Sequence, residues 1–387
     1  MRQIIAFNNA KVGMTYGKLR VADINSTTGM VILDNKDNQI TLSKNKTIEL
    51  MPGIGIRTAN QDTITADMPL RYYIYKEITK PGTYELRGAV ANTDQDTFTW
   101  DNSTFPGFYY DIDKNLGTEK ITFTLINKTP TSATLSDLID ANGNRGIVYA
   151  TEAQTKNFKF KPWGQYDVIG FLGEKYFAAY DSRVTYGMTD AGETVPAIFD
   201  ASRNKNLMIN EQISKVLIDD DTVKLVKKGE SIKLKDGYEL VIKGINNDKQ
   251  MYLQLLRNGQ VVDESFIAPL LGSHTYCYRR TLGDTRDIVV IAVYFRSTYK
   301  DEEREVAVVN GIWQISDTPT LINYGQQYGK MSIRNVEAMN MTITMDNKGN
   351  PINLTRKTDV EFMPSIHLKT ADNETLRYYI CKTETIA

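Results

Sequence analysis

Histidine and cysteine, two of each in this 387-residue chain, are spaced so that they have little chemistry to do. The two histidines, His274 and His367, stand apart. Neither sits in an HExxH motif or has a second histidine at ligand spacing. A structural or solvated role is expected for both, rather than zinc binding or acid–base catalysis. The two cysteines, Cys277 and Cys381, form no CxxC. They read as separate thiols, although one disulfide is open to them. No GxSxG elbow, GxxxxGK[ST] loop or GxGxxG loop is present.

The acids give weak patterns. Asp219, Asp220 and Asp221 could gather a hard cation through several oxygens. They lack the spacing and the glycine of a calcium loop, so a solvated turn is expected. The stretch GFYYDID (107–113) sets aromatics beside acids. It suits core packing better than a sugar-stacking platform. A carboxylate pair for glycoside hydrolysis is compatible with so many acids, but solvated surface is the expected role. No catalytic, cofactor-binding or metal-binding residue is assigned. Sequons of the form N-x-[ST] occur at Asn25, Asn45, Asn102, Asn340, Asn353 and Asn373, with a weaker one at Asn127, two residues before the Thr129–Pro130 pair. They are candidate N-glycosylation sites if the chain is exported.

The elements that would carry these residues read as strands. In 229–245, Ile232 and Leu234 alternate with lysines, Asp236-Gly237 follows, and Tyr238, Leu240 and Ile242 resume the alternation. That is a hairpin whose turn needs positive φ. Residues 250–267 repeat the plan around Asn258-Gly259. Further strands are expected at 121–126, 287–295 and 341–355. Short helices are expected at 134–143 and 210–218. Many short strands with turn signals between them predict an all-β chain of tandem β-sandwich domains with few short helices, with barrels as the alternative.

The chain also repeats itself. Setting Gly17 against Gly329 and reading to Asn60 against Asp372 gives fourteen identities in 44 gapless positions. They include Asp34-Asn35-Lys36, Met51-Pro52 and Thr58-Ala59. Six extra residues follow in the first copy, and then LRYYI (70–74) matches LRYYI (376–380). A duplicated module explains this. The second copy is expected to run from about residue 83 to the end. The first is expected to be a tail, residues 1 to about 79, of a copy whose front is missing.

Bulk properties set wide bounds. The length suggests two or three domains, because single cores rarely grow past about 250–300 residues. Lys plus Arg is 46 and Asp plus Glu is 47, which is not the footprint of a nucleic-acid binder. No stretch approaches the roughly 20 apolar residues of a membrane span. The opening MRQIIAFNNAKVG is too short and polar for a signal peptide. A soluble piece is expected, either cytoplasmic or shorn of targeting and anchoring segments.

Six blocks in order carry a family resemblance: STFPGFYYDIDKNLGTEKITF (103–123), YDVIGFLGEKYFAAY (166–180), GYELVIKGINNDKQMYLQLLRNGQVVDES (237–265), VVNGIWQIS (308–316), YGKM (328–331) and NETLRYY (373–379). Together they resemble the S-layer family duplication domain of methanogenic archaea. The resemblance covers residues 83–387, and residues 1–79 resemble the end of a preceding domain. It implies a structural, extracellular surface-layer protein that associates with itself into a porous lattice, a coat and a sieve, with no catalytic residues and no cofactor. The expected division is 1–80, the C-terminal part of a preceding repeat; 81–215, a first β-rich subdomain; and 216–387, a second β-sandwich subdomain. The rival readings are a carbohydrate-binding or adhesive module, marked by a flat row of exposed aromatics, and a carbohydrate-active enzyme, marked by a cleft with paired carboxylates.

Overall fold

The computed structural model describes residues 2–9, 15–16, 19–25, 31–35, 38–65, 68, 70–136, 146–181, 186–189, 192, 194–199, 206–302 and 304–386. Among these residues strands dominate, and the helical elements are three 3-10 turns, Lys161–Trp163, Leu207–Asn210 and Pro269–Leu271. The all-β expectation holds. Both turn signals form as expected: Asp236 and Gly237 have φ of 55° and 77°, and Asn258 and Gly259 have 51° and 81°. Right-handed strand twist favours such turns between paired strands.

The helix expected at 210–218 is not there. Leu207–Asn210 is a 3-10 turn and Gln212–Asp220 is a strand. Ile213, Val216 and Ile218 are β-branched, which disfavours helix. Neighbouring strands take the backbone on both sides, with Lys215 opposite Tyr176 and Val216 opposite Ile315. The other expected helix, 134–143, begins within the strand Ala133–Leu135, and its residues 137–143 lie outside the described residues.

The first unit is a sandwich of two four-stranded sheets. One sheet runs Arg2–Asn9, Arg71–Glu77, Ile54–Thr58, Thr47–Met51; the other runs Thr15–Tyr16, Leu19–Ile24, Val31–Asn35, Asn38–Leu42. Val21, Val31, Leu33 and Leu42 from one meet Ile56, Tyr72 and Ile74 from the other in one buried cluster.

The same plan returns at the far end of the chain. Met331–Glu337, Thr342–Asp346, Ile352–Leu354, Asp359–Met363, Ile366–Thr370 and Arg377–Ile386 follow in the order of the first copy. Hydrogen bonds repeat residue for residue. Thr58 N donates to Lys46 O at 2.9 Å, and Thr370 N to Thr358 O at 2.9 Å. Lys46 N donates to Thr58 Oγ1 at 2.8 Å, and Thr358 N to Thr370 Oγ1 at 2.7 Å. Ala59 N donates to Arg71 O at 2.9 Å, and Ala371 N to Arg377 O at 2.8 Å. The edge strand repeats too. Arg2–Asn9 lies along Arg71–Glu77 in the register that Gly82–Arg87 and Ala91–Asn92 use along Arg377–Ile386. The first unit, expected as a tail without a front, has an edge strand of its own. It lacks a counterpart of residues 93–326.

One pairing differs between the copies. Val31–Asn35 and Asn38–Leu42 form a hairpin. In the second copy Ile352–Leu354 leaves its predecessor and pairs with Ala133–Leu135. Pro351 stands where the first copy has Gln39, and proline has no N–H to donate to a ladder. Asn347 secures the change, accepting from Ile147 N at 2.9 Å and donating to Leu135 O at 3.3 Å.

Strands from 91–152 complete the second sandwich. A six-stranded sheet places Thr97–Asp101, Glu119–Thr124 and Ile147–Glu152 next to Thr342–Asp346, Met331–Glu337 and Gln327–Tyr328. Trp100, Phe123, Tyr149 and Met345 on this sheet pack with Phe362, Leu368 and Tyr378 on the facing one. A third core lies between a nine-stranded sheet and the four strands from Ser231 to Ile267. Its longest strand, Thr285–Lys300, lies next to the edge strand Thr275–Leu282 and is buried continuously from Ile288 to Phe295. A strand covered on both faces loses the alternation of a half-wet one.

Strand pairing thus crosses the boundary expected at 215/216, because residues 82–152 share their sheets with 327–386. The second and third cores also share strands. In Gln165–Phe171 and Glu174–Asp181, Tyr166, Val168, Phe177 and Tyr180 point to one core while Ile169, Phe171 and Ala178 point to the other. Period-two alternation delivers one strand pair to two interiors.

Candidate functional site

The residues singled out for chemistry are scattered and committed elsewhere. His274 Nδ1 lies 2.9 Å from Phe295 O, and its ring stacks on Tyr294. His367 Nδ1 pairs with Asp359 Oδ1 at 2.8 Å on another sheet. Cys277 and Cys381 are free thiols on separate sheets. Burial pushes Cys277 up to about 11 and Cys381 up to about 12, so neither is a ready nucleophile. Asp219 accepts from Tyr166 Oη at 2.9 Å and lies 3.2 Å from Lys175 Nζ, while Asp220 faces Lys224 and Thr222. These aspartates do not converge, and among the described residues no group of three or more His, Cys, Asp or Glu could hold a metal.

The buried acids with shifted titration are held by hydrogen bonds and ion pairs within the fold. Glu119 is buried and accepts from Tyr149 Oη at 2.9 Å, Gly173 N at 2.8 Å and Tyr109 N at 2.9 Å. Burial pushes its carboxyl up, the three donors pull it back, and it settles at about 7. Nearby, burial would raise Asp111, but Lys156 Nζ at 2.7 Å brings it below the usual carboxylate range. Burial pushes Lys175 down to about 8 against the pull of Asp219. A cavity of about 590 Å³ beside Phe266, Leu271 and Cys277 has no carboxylate in its lining. Phe108 and Ile112 of the GFYYDID stretch are buried, and Phe108 packs edge-on against Phe105.

That same stretch supplies the joint between the first two units. It ends in a turn closed by Asp111 and Leu116, whose backbones exchange hydrogen bonds of 2.8 and 3.0 Å. Asp111 Oδ1 accepts from Asp113 N at 3.1 Å, so the turn presents carbonyls outward. The first unit grips it with three residues. Arg71 Nε donates to Ile112 O at 2.9 Å and Arg71 Nη2 to Asp113 O at 3.1 Å. Asn60 N donates to Asp113 Oδ1 at 2.8 Å, and Arg57 Nη2 pairs with Asp113 Oδ2 at 3.3 Å. The guanidinium fork suits two adjacent acceptors. Arg71 was visible as part of a repeated LRYYI and Asp113 as part of an aromatic–acid run, but nothing in the sequence paired them.

Of the sequon asparagines, Asn25, Asn45, Asn127, Asn340 and Asn353 are exposed, and Asn102 and Asn373 are half-buried. The described surface also carries an apolar edge. The strand Gln260–Ile267 pairs on one side only and exposes Val261, Val262 and Phe266, with Leu270 and Leu271 just beyond.

A duplicated sandwich joined to its neighbour by a polar clasp, with buried acids serving the fold, defines a structural all-β protein of repeated units. The sequence profile of the S-layer protein family matches residues 89–372. The chain belongs to that family, and so to the structural proteins of the extracellular cell surface. It is 29% identical to a major S-layer protein of Methanosarcina mazei over 382 residues, 96% of this chain and 50% of the relative. Major S-layer proteins of Methanosarcina barkeri and Methanosarcina acetivorans are each 27% identical, over 94% and 96% of this chain and 48% and 50% of theirs. The chain spans about half the length of these relatives. Among the described residues no helix is long and apolar enough to cross a membrane. The carbohydrate-binding alternative is not favoured, since its aromatic stretch is largely built into the core.

Proposed function

We propose that this chain is a building block of a porous two-dimensional cell-envelope lattice, and that its work is done by its outer surfaces rather than by catalysis. The observation behind this reading is the doubled unit, reproduced to the level of single hydrogen bonds and clasped through Arg71 and the 111–113 turn. A lattice needs repeated, similarly shaped faces, and weak contacts repeated by symmetry add up. Stiff units lose little freedom on docking. Two strands shared between two cores stiffen the rest of the chain.

For the domain organisation we read a first unit, 1–80, followed by one module. In that module 82–152 and 327–386 form one sandwich and most of 154–321 forms the other. Exposed Asn25, Asn45, Asn340 and Asn353, with Asn102 and Asn373, are proposed as glycan attachment points on an outward face. The test is electron microscopy of the purified chain adsorbed to a lipid monolayer. Ordered patches with a regular repeat are expected. A dense but disordered film at every coverage would count against the lattice reading, and glycosidase-sensitive mass at the sequons tests the glycan reading separately.

A further inference from the structure

The sheet of Ser231–Lys233, Tyr238–Ile245, Met251–Arg257 and Gln260–Ile267 is an antiparallel meander, and among the described residues both its outer strands pair on one side only. The two edges differ in charge. From Asn258 to Tyr278 the chain has no lysine or arginine. The strand Gln260–Ile267 sets Asp263 and Glu264 among exposed Val261, Val262 and Phe266. Tyr276 Oη donates to Asp263 at 2.7 Å, and Tyr252 Oη and Gln254 Nε2 donate to Glu264 at 2.5 and 2.6 Å. Among the described residues no cation pairs with either carboxylate. Arg279 and Arg280, farther along, already face Asp287 and Asp317.

The opposite edge is basic. Lys224, Lys227, Lys228, Lys233 and Lys235 follow closely, with Glu230 the one acid between them. Lys224, Lys228 and Lys233 pair with Asp220, Glu305 and Glu239. Among the described residues Lys227 and Lys235 pair with no acid. Lysines on an edge strand guard it against its own kind. Two lysine edges repel, and so do two acidic edges, whereas one of each attract.

Geometry makes a second copy the matching occupant. Glu264 and Lys233 lie on the same face of the sheet, opposite Gln254 and Glu239, while Leu240, Leu253, Leu255 and Ile267 turn the other face into the core. Successive strands alternate in direction, so the fourth runs against the first. Copies that face the same way therefore meet with these two edges antiparallel.

We propose that Gln260–Ile267 of one copy adds to Ser231–Lys233 of the next, with Glu264 opposite Lys233, so that the sheet continues from chain to chain. The inference rests on the lattice reading and gives it a contact. The contact is heterologous, so it propagates into rows rather than closing. Its ladder is short, and a row depends on repetition.

Cysteine cross-linking of the full chain on a lipid monolayer tests this. With Glu264→Cys and Lys233→Cys in one chain, the two thiols face each other across the seam, with about 4.5–5.5 Å between Cβ atoms. Oxidation with copper phenanthroline is expected to give dimers, trimers and longer rows. Either single variant keeps the native thiols and should stay mostly monomeric. No linked series, or equal linkage in a single variant, would overturn the contact. Charge exchange in solution is an independent check by sedimentation velocity. Glu264→Lys, and separately Lys233→Glu with Lys235→Glu, are expected to associate about tenfold more weakly than the unaltered chain. An equal mixture of the two should regain the loss, since each basic edge then meets an acidic one. A mixture no more associated than its components would count against the proposal. Ordered patches without a linked series would remove this contact and leave the lattice reading standing, whereas a film with neither loses both.

Discussion

Glu119 is a fully buried carboxyl whose charge the fold holds at a cost. Its folded pKa of about 7 lies above the ordinary 4.5. Between those values the folded chain holds a proton that the unfolded chain has released. Stability from this group is therefore fully present below about pH 4.5 and falls as pH rises toward 7. At 1.36 kcal/mol per unit the loss is on the order of 3 kcal/mol. Urea midpoints taken across that range should fall for the parent chain, and the fall should shrink in Glu119→Gln. A parent midpoint that climbs through the range would contradict the assignment. Gly170 explains why the carboxylate fits, since any Cβ there would come within 2.6 Å of Glu119 Oε2. None of this was legible in the sequence. Glu119 lies in a strand of unremarkable alternation, and its three donors come from residues 10, 30 and 54 positions away.

Turns and strands were the most legible elements, because their chemistry is local. Asp-Gly and Asn-Gly announced two hairpins that formed with the expected signs of φ. Gly237→Ala is expected to cost roughly 1–2 kcal/mol for the left-handed backbone alone, with more from contact with Asn258 Oδ1. Thermal melting would show this, and Gly259→Ala, whose Cβ meets open space, should cost less. The stretch 210–218 suggests a short helix because its apolar spacing fits both periods, yet the structure makes Gln212–Asp220 a strand. Tertiary pairing decided the matter. Proline at 351 was visible, but that it redirects Ile352–Leu354 to a strand some two hundred residues earlier was not.

For the whole molecule, the duplication was legible from identities in a single register, since both copies bury the same faces. What stayed hidden was how much chain separates the halves of one sandwich. The edge strands Arg2–Asn9 and Gly82–Arg87 share few residues, because backbone pairing asks little of side chains on an edge. The clasp between the first two units should have a measurable melting signature. In Arg71→Ala the first unit loses its hold on Ile112 and Asp113, and calorimetry should show a low-temperature shoulder separating from the main transition. A single unshifted transition would mean that the two units are joined by something other than this turn.

The side-by-side placement of strand ends has a mechanical meaning. Arg2 sits opposite Glu77, and Gly82 opposite Ile386. Tension applied between the outermost residues opens each ladder from its end, bond after bond, as a zipper parts rather than as a lap joint shears. The strands between Gln154 and Leu321 lie outside that line of force and stay unloaded until the second zipper has run. Under stretching, such a chain would yield first at its edge ladders, leaving the inner sandwich to be pulled last.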